Sequence, residues 1–368
     1  MKRKETIKKI IFTILIFILG IITSLLVIYK YPNIFKINTT KLEKSVTITD
    51  NGISDAVEKV YDKVIIVTTY NNNQKYSSGS GFIYDVDKES TYIITNNHVV
   101  TNSNNYKVTY TDGKEVSATL VGSDVYSDIA VLKVKTREDY DKVSLGNSNN
   151  LKPGDTTFVV GAPLNNEYSW TVTRGIISGK ERLVEISTTQ QSSSDYVISV
   201  LQTDAAVNSG NSGGPLCNAN GDVIGVVSAK ISGTGVEGMG FAIPIETAKE
   251  KADQIINGKN TTYPYLGISM INLSDLRNYP NYYNYLQNTK LTNGVVVIDV
   301  ENNSSAKKAG LQQGDIITKI DNNETNSVAY LRYELYKHKV NDTITITYER
   351  DAKTKTVKVK LTSNGQKM

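Results

Sequence analysis

Short apolar runs separated by turn residues fill the middle of this 368-residue chain. Asn, Gly, Asp and Ser occupy the gaps between the runs, and a helical pattern returns only at 245–256. Many short strands at such spacing are typical of an all-β sandwich or barrel. The runs are Val64–Thr69, Gly81–Tyr84, Tyr92–Thr95, Tyr106–Thr111, Ala118–Val121, Ile129–Val134, Thr157–Val160, Gly175–Ile177, Val197–Thr203, Val223–Val227 and Gly240–Ile243.

A second domain is predicted beyond Gly258-Lys259-Asn260, where the composition changes. Four strand-like segments and one helical segment follow there, together with a Tyr- and Asn-rich stretch, 278–288, that we interpret as a surface insertion. We place the first domain at 53–258 and the second at 263–362. The predicted elements of the second domain are Gly294–Val300, Ile316–Ile320, Thr343–Arg350, Thr356–Leu361 and the helix Ser327–Lys339.

Residues 10–29 carry no charge, and as a helix they would span about 30 Å, the thickness of a bilayer core. Basic residues cluster before the run, so residues 1–9 are predicted to be cytoplasmic, 30–52 to be a linker and the remainder to be extracytoplasmic. The alternative is a cleaved signal peptide, which would have a shorter apolar region and small residues at a cleavage site. Because only Thr23-Ser24 suggests such a site, we expect a single-pass anchor.

Charge and composition exclude several function classes. Residues 1–9 hold five of the 41 Lys and Arg residues and one of the 37 acidic residues, so the rest of the chain is neutral, with 36 of each sign. Nothing therefore indicates nucleic-acid binding. The single cysteine excludes an intramolecular disulfide, and with two histidines a His/Cys metal site is not expected. We expect no metal and no cofactor.

Ser212 lies among three glycines in Gly210-Asn211-Ser212-Gly213-Gly214. Glycine adopts backbone angles that other residues avoid, and a loop of this kind can expose a serine hydroxyl beside backbone N–H groups. A serine hydroxyl is a weak nucleophile at neutral pH and needs a base next to it. His98 is the only histidine of the β-rich region. The pattern predicts Ser212 as a nucleophile and His98 as its base.

The carboxylate that would orient the base is best assigned to Asp128, which opens an apolar strand. Asp124 is the competitor, but its turn-rich surroundings favour a solvated side chain. The order His98, Asp128, Ser212 also separates two folds. The glycine cluster matches the G-x-S-x-G turn of α/β-hydrolases, but those enzymes place the histidine after the serine, and His338 lies in the other domain.

Four motifs resemble those of the HtrA/Deg family of trypsin-like serine proteases: TNNHVV, SDIAVLKV, TDAAVNSGNSGGPL and GMGFAIP. The resemblance covers about 53–362 and implies two six-stranded β-barrels with a catalytic triad between them. It implies His98 as general base, Asp128 as its orienting acid and Ser212 as nucleophile, with the N–H groups of Gly210 and Ser212 as the oxyanion hole. Ser209 stands where the family usually has proline, so the loop is expected to be less pre-set.

The same resemblance places the floor of the specificity pocket at Ala206, which predicts a preference for aliphatic residues before the scissile bond. The walls would come from Ser228, Ala229, Lys230 and Ile231 and from 238–241. The polar segment 181–196 resembles the family's activation loop, which senses the neighbouring domain. The alternative for this segment is a plain solvated hairpin.

Residues 263–362 resemble a PDZ domain through Tyr265-Leu266-Gly267-Ile268, Ala306–Leu311 and Gly314-Asp315-Ile316-Ile317. Such a domain binds a peptide C-terminus as an added strand beside a sheet edge. The resemblance implies that the N–H groups of Leu266, Gly267 and Ile268 receive the carboxylate and that the helix at 327–339 forms the other wall.

Together these features predict a membrane-anchored bacterial serine endopeptidase that degrades misfolded or damaged proteins outside the cytoplasm and responds to peptides at its PDZ domain. The alternative is a proteolytically inactive peptide-binding scaffold, which the presence of all three triad residues disfavours. The resemblance also implies a homotrimer.

Overall fold

The computed structural model describes residues 12, 14–23, 26, 29–30, 51–137, 140–162, 170–186, 195–231, 238–259, 262–278 and 289–363. The chain divides into two units, residues 1–49 and 50–368, and the second holds the β-structure. The predicted cytoplasmic segment 1–9, most of the linker 30–52, residues 187–194 of the loop 181–196 and nearly all of the insertion 278–288 lie outside the described residues.

The described positions between 12 and 30 are helical and exposed. In the parts of the chain that the structure describes, we find no helix with the length and apolar character needed to cross a membrane. Residues 10, 11, 13, 24–25 and 27–28 of the predicted anchor lie outside those parts, so the anchor stays a prediction.

Six antiparallel strands close the first barrel, in the order β1-β2-β3-β6-β5-β4. Helix α1 (Asn51–Tyr61) precedes this barrel, and the one-turn helix α2 (Asn97–Val100) follows β3. The strands are β1 (Val64–Asn71), β2 (Gln74–Val86), β3 (Ser90–Asn96), β4 (Asn105–Thr109), β5 (Glu115–Asp124) and β6 (Ile129–Lys135).

The second barrel closes in the order β10-β11-β12-β9-β8-β7, and helix α3 (Ile245–Ile256) follows it. Each predicted apolar run overlaps a strand of one barrel, so the prediction of two six-stranded β-barrels is confirmed. The strand that the pattern missed is β10, a short segment beginning at Pro215. The strands are β7 (Thr156–Gly161), β8 (Thr171–Ile186), β9 (Tyr196–Thr203), β10 (Pro215–Asn218), β11 (Val223–Val227) and β12 (Gly240–Pro244).

One hydrophobic core extends across both barrels and fixes their relative position. Phe82 and Ile94 of the first barrel and Phe158 and Val226 of the second belong to the same buried cluster. Because apolar interiors are closely packed, the loops at the junction of the barrels are held on a rigid base.

The second domain is a sheet in the order β14-β15-β16-β18-β19, so β14 is an edge strand. Its two helices are α4 (Ser305–Ala309) and α5 (Val328–Tyr336). Helix α5 is shorter than the predicted 327–339. Ser327 is its cap, accepting a hydrogen bond from the N–H of Tyr330 at 3.3 Å, and the helix ends at Tyr336. The strands are β13 (Pro264–Tyr265), β14 (Ile268–Asn272), β15 (Val295–Val300), β16 (Ile316–Ile320), β17 (Asn323–Glu324), β18 (Thr343–Arg350), β19 (Lys353–Lys360) and β20 (Thr362–Ser363).

Candidate active site

The side chains of His98 and Asp128 are hydrogen-bonded at the end of the first barrel. The Nδ1 atom of His98 lies 2.8 Å from Oδ2 and 3.0 Å from Oδ1 of Asp128. The backbone N–H of His98 also donates to Oδ1 of Asp128, at 2.9 Å. The carboxylate therefore fixes both the ring and the main chain of the histidine, and Nε2 is the ring nitrogen left for another partner.

Asp128 itself is held by contacts from three directions. Its side chain is only 4% exposed, and it also accepts a hydrogen bond from Oγ of Ser228 at 3.0 Å. Its carbonyl oxygen accepts from the N–H of Asn97 at 3.1 Å and from Nδ2 of Asn96 at 2.9 Å. A buried carboxylate needs such donors to remain charged. Sequence reasoning placed Ser228 in a pocket wall, but its hydroxyl binds the aspartate.

Asp124 is not solvated as expected, and that expectation was wrong. The residue is 4% exposed and lies at the end of β5. Its Oδ2 atom accepts from the N–H of Ser127 at 3.0 Å, from the hydroxyl of Ser127 and from the hydroxyl of Tyr263 at 2.7 Å. Tyr263 is distant in sequence, so no local pattern could reveal this burial.

The loop before Ser212 is a type II turn. The N–H of Asn211 donates to the carbonyl of Asn208 at 3.0 Å, which closes a turn around Ser209 and Gly210. Gly210 has a φ of 101°, and Ser209 is not among the residues with positive φ. Positive φ at the third position alone defines type II and favours glycine there. The turn is thus formed here with serine at its second position.

Within the described residues, the backbone N–H groups of Gly210 and Ser212 donate to no protein acceptor. Neighbouring N–H groups hold this loop in place. The N–H of Gly213 donates to the carbonyl of Val227 at 2.8 Å, and that of Gly214 donates to the carbonyl of Asn211 at 2.9 Å. Unpaired donors in a fixed loop are what an oxyanion hole requires.

Ser80 is a residue of the site that sequence reasoning missed. Its hydroxyl donates to the carbonyl of Gly210 at 2.7 Å and accepts from the N–H of Ala162 at 3.1 Å. Its own N–H donates to the carbonyl of Ser212 at 2.8 Å. Ser80 lies on β2, so the first barrel clamps the serine loop of the second. The Gly79-Ser80-Gly81 sequence within a strand was the available signal, because glycine there marks a close backbone approach.

The hydroxyl of Ser212 is hydrogen-bonded to the main chain. Its Oγ accepts a hydrogen bond from the N–H of Ala229 at 3.0 Å. Among the described residues, no hydrogen bond joins Oγ of Ser212 to the ring of His98. The serine is 5% exposed. Rotation about its Cα–Cβ bond is the change that would redirect the hydroxyl.

Comparison with known proteins identifies this arrangement. Residues 79–226 match the trypsin-like peptidase domain, and residues 264–361 match the PDZ domain. The chain is 40% identical over 337 residues to the serine protease Do-like HtrB of Bacillus subtilis, covering 86% of this chain and 72% of that protein. The chain belongs to the HtrA family of serine proteases. It is a serine endopeptidase by family.

Other relatives agree. The serine protease Do-like HtrA of Bacillus subtilis is 41% identical over 292 residues, covering 79% of this chain and 64% of that protein. Among solved structures, the HtrA-type protease AlgW with a decapeptide aligns with a TM-score of 0.64 and 29% identity, covering 85% of this chain and 99% of that one. The trypsin-like fold and the PDZ domain of this HtrA-family chain are therefore established.

The predicted specificity residues of the protease have mixed environments. Ala206 is exposed, and its carbonyl oxygen accepts from Oγ1 of Thr173 at 2.9 Å. Ile231 is buried, Ala229 is half-buried and Lys230 is exposed. Their role in substrate selection stays a prediction.

The predicted carboxylate loop of the PDZ domain precedes the edge strand β14. Leu266 and Ile268 are buried, and Gly267 has a φ of 75°. A Cβ atom at Gly267 would lie 2.2 Å from Cβ of Ser304, so only glycine fits there. The N–H of Val328, at the start of α5, donates to Oδ1 of Asn272 at 2.7 Å, which ties the helix to the end of β14.

A cavity of about 860 Å³ lies between the protease and PDZ domains. Tyr126, Ser127 and Tyr196 line it from the protease side, and Tyr263 and Tyr336 from the other side. None of His98, Asp128 and Ser212 lines it, so this cavity is separate from the candidate active site.

Proposed function

We propose that this HtrA-family protease is a membrane-anchored, extracytoplasmic endopeptidase that degrades misfolded or damaged polypeptides and is regulated by peptides at its PDZ domain. The observation that carries the proposal is the paired His98 and Asp128 beside a type II turn that ends at Ser212. A base with a fixed orientation and a serine with free neighbouring amides are the parts that acyl transfer needs.

In the proposed reaction, Oγ of Ser212 attacks the scissile carbonyl while Nε2 of His98 removes the hydroxyl proton. Asp128 holds Nδ1–H and stabilises the imidazolium that forms. His98 then protonates the leaving amine, and water repeats the sequence on the acyl-enzyme. The free N–H groups of Gly210 and Ser212 would receive the oxyanion.

One step must precede attack. Ser212 must exchange its hydrogen bond from Ala229 N–H for one to His98 Nε2. Catalytic hydrogen bonds are often absent without substrate and form in the Michaelis complex. Since the two hydrogen bonds are of similar strength, the rotation is a small part of the barrier.

The proposed substrate and regulatory sites follow from the sequence. Ala206 provides an uncharged pocket floor, with Ser228, Ala229, Lys230 and Ile231 as the wall segment, and we infer cleavage after aliphatic residues. The N–H groups of Leu266, Gly267 and Ile268 would bind a peptide C-terminus added beside β14. The activation loop 181–196 is proposed to report that binding.

Contacts between the domains support this regulation. Nη1 of Arg332, on helix α5, donates to the carbonyl of Asp195 at 2.6 Å, where the loop 181–196 ends. Helix α5 would form one wall of the peptide groove. A peptide that shifts this helix would therefore act directly on the loop.

The proposed location rests on residues 10–29 as an anchor, with the N-terminus in the cytoplasm. A homotrimer is proposed from family membership. Membrane fractionation followed by N-terminal sequencing tests the anchor. Recovery of the full-length chain in the membrane is expected, whereas a mature chain beginning after residue 24 would contradict the anchor.

The activity is tested by casein hydrolysis with the full-length chain in detergent. Ser212→Ala should lower the rate by at least about 10⁴-fold. The exposed Ser117→Ala on β5 is the matched control and should retain full activity. Equal rates for wild type and Ser212→Ala would overturn the proposal and favour the inactive peptide-binding scaffold.

A further inference from the structure

Asp124 closes the loop that carries Asp128. Strand β5 ends at Asp124 and β6 begins at Ile129, and these two residues are paired across the hairpin. Within the loop, Oδ2 of Asp124 accepts from both the N–H and the hydroxyl of Ser127. Ser127 directly precedes Asp128. The Asp124 carboxylate therefore fixes the backbone on which the proposed acid stands.

That backbone needs fixing because Asp128 has a φ of 55°. A left-handed conformation is unfavourable for residues other than glycine, although Asp and Asn tolerate it best. Such a conformation persists where the surrounding contacts over-determine it. The hydrogen bonds from Ser127 to the carboxylate of Asp124, and from Asn96 and Asn97 to the carbonyl of Asp128, supply those contacts.

Tyr263 completes the hydrogen bonding of Asp124 from outside the barrel. Its hydroxyl donates to Oδ2 at 2.7 Å. Burial and the Asp124 carboxylate raise the pKa of the Tyr263 hydroxyl, so it stays a donor. In the parts of the chain that the structure describes, no basic side chain pairs with Asp124. Hydrogen bonds alone therefore stabilise this buried charge, and the loss of one donor is costly.

Aromatic packing holds the same loop against the second domain. The ring of Tyr126, between Asp124 and Asp128, lies 5.0 Å from the ring of Tyr263, 4.8 Å from that of Tyr336 and 5.8 Å from that of Tyr196. Tyr336 belongs to helix α5, and Tyr196 begins β9. Side chains of the second domain thus hold the loop by both a hydrogen bond and ring contacts.

We propose that Asp124 and Tyr263 are positioning residues for the Asp128–His98 pair, so that the docked second domain supports catalysis through the acid of the triad. This inference rests on the proposed function of Asp128. This support differs from the regulation proposed for the loop at 181–196. It acts on His98 and Asp128 and not on the oxyanion hole.

The physical consequence is a specific kinetic change. Without the Tyr263 hydroxyl, the loop at 124–128 loses its external restraint, and Asp128 departs from His98 Nδ1 for part of the time. A small misplacement of a catalytic group lowers the rate of the chemical step. The loop contacts His98 through Nδ1 and not through the reacting Nε2, so we expect substrate binding to stay unchanged.

The test uses the full-length chain in detergent and four variants. Tyr263→Phe removes the hydroxyl and keeps the ring, Asp124→Ala removes the acceptor, and Asp124→Asn keeps an acceptor oxygen. Tyr84→Phe is the matched control, because the Tyr84 hydroxyl likewise donates to a carboxylate, Oδ1 of Asp253 at 2.6 Å, and not to the 124–128 loop. The measurements are kcat, KM and the low-field proton resonance of the His98 Nδ1–H.

We expect Tyr263→Phe to lower kcat about 10-fold and Asp124→Ala about 100-fold, both with unchanged KM. Asp124→Asn should recover most of the activity that Asp124→Ala loses. The Nδ1–H resonance should weaken or move in Tyr263→Phe and Asp124→Ala. Tyr84→Phe should lower the unfolding midpoint as Tyr263→Phe does, with kcat and the resonance unchanged.

Two outcomes overturn the inference. The first is equal kcat and an equal resonance for Tyr263→Phe and Tyr84→Phe, which would assign Tyr263 to stability alone. The second is a rise in KM without a fall in kcat. A Ser212→Ala variant measured in parallel separates the inference from the proposed function. Full activity in that variant would refute Ser212 as the nucleophile, and with it the proposed function.

Discussion

His98 and Asp128 lie on the first barrel and Ser212 on the second, and the two groups are held by different kinds of contact. The histidine and the aspartate are joined by three hydrogen bonds and supported by Ser228. The backbone around Ser212 is clamped by Ser80, but the serine side chain contacts Ala229 and not the base. The base is therefore pre-organised, whereas the nucleophile is one rotation away.

This difference shows where the protease can be switched. A side-chain rotation costs little, while breaking a hydrogen bond to the buried Asp128 carboxylate costs about 1.5–3 kcal/mol. A signal that acts on the serine loop can be weak, and one that acts on the aspartate must change its packing. The predictions that follow test the His98–Asp128 pair first and then the loop around Ser212.

The largest expected effect is a fall in kcat when the His98–Asp128 pair of the first barrel is changed. Asp128→Asn should lower kcat about 10⁴-fold, because an amide cannot hold the histidine in the tautomer that accepts the serine proton. Hydrolysis of a peptide substrate measures it. Asp87→Asn is the control, since Asp87 also accepts two backbone N–H groups in a turn of the first barrel but is remote from the site. A fall in kcat of less than 10-fold in Asp128→Asn would argue against His98 and Asp128 acting as the base and its orienting acid.

Gly213→Ala tests how closely the backbone of the Ser212 loop approaches the first barrel. Gly213 has a φ of 86°, and a Cβ atom there would lie 2.2 Å from the carbonyl oxygen of Ser80. We expect the free energy of unfolding to fall by at least about 3 kcal/mol in denaturant titrations. Gly113→Ala is the control, because Gly113 has a φ of 79° with open space around it. The control should cost about 1 kcal/mol, and similar losses in both would contradict the close approach of the barrels.

Ser80→Ala tests the hydrogen bond from the Ser80 hydroxyl of the first barrel to the carbonyl of Gly210 in the second. Loss of its hydroxyl frees the carbonyl of Gly210, and we expect kcat to fall about 10-fold as the proposed oxyanion site loosens. Thr157→Val is the matched control, because its buried hydroxyl contacts Thr203 at 3.1 Å in the second barrel, away from that loop. Both variants should lose about 1–3 kcal/mol of stability. An equal fall of kcat in both would show that stability and not the clamp is measured.

The smallest effect is expected from Ser209→Pro. Proline is favoured at the second position of a type II turn, and among the described residues the N–H of Ser209 has no acceptor to lose. Fixing its φ should favour the turn by about 0.4–1 kcal/mol, which corresponds to roughly a 2–5-fold rise in kcat when the turn limits activity. Ser209→Ala should leave kcat unchanged. A fall in kcat with proline would mean that the active turn is not type II.

The sequence was informative wherever the signal is local. Alternating apolar runs predicted the strands, and the order of His98, Asp128 and Ser212 selected the trypsin-like fold over the α/β-hydrolase fold. The glycines at 210, 213 and 214 predicted a tight loop. These features depend on backbone geometry and on neighbours within a few residues, which one sequence records.

The features that sequence reasoning missed depend on distant contacts. Ser80 binds Gly210 across the two barrels, and Asp124 is buried because Tyr263 of another domain covers it. The rotation of Ser212 towards Ala229 is set by packing and not by residue type. Such contacts appear only once the barrels and the second domain are assembled.

The most direct test is a crystal structure of the protein with a peptidyl boronate bound to Ser212. We predict that Oγ of Ser212 leaves the N–H of Ala229, that the boronate oxygen accepts from Gly210 and Ser212, and that the His98–Asp128 distance stays near 2.8 Å. A rearrangement of His98 and Asp128, or of the loop backbone around Ser212, in place of a side-chain rotation would contradict the account.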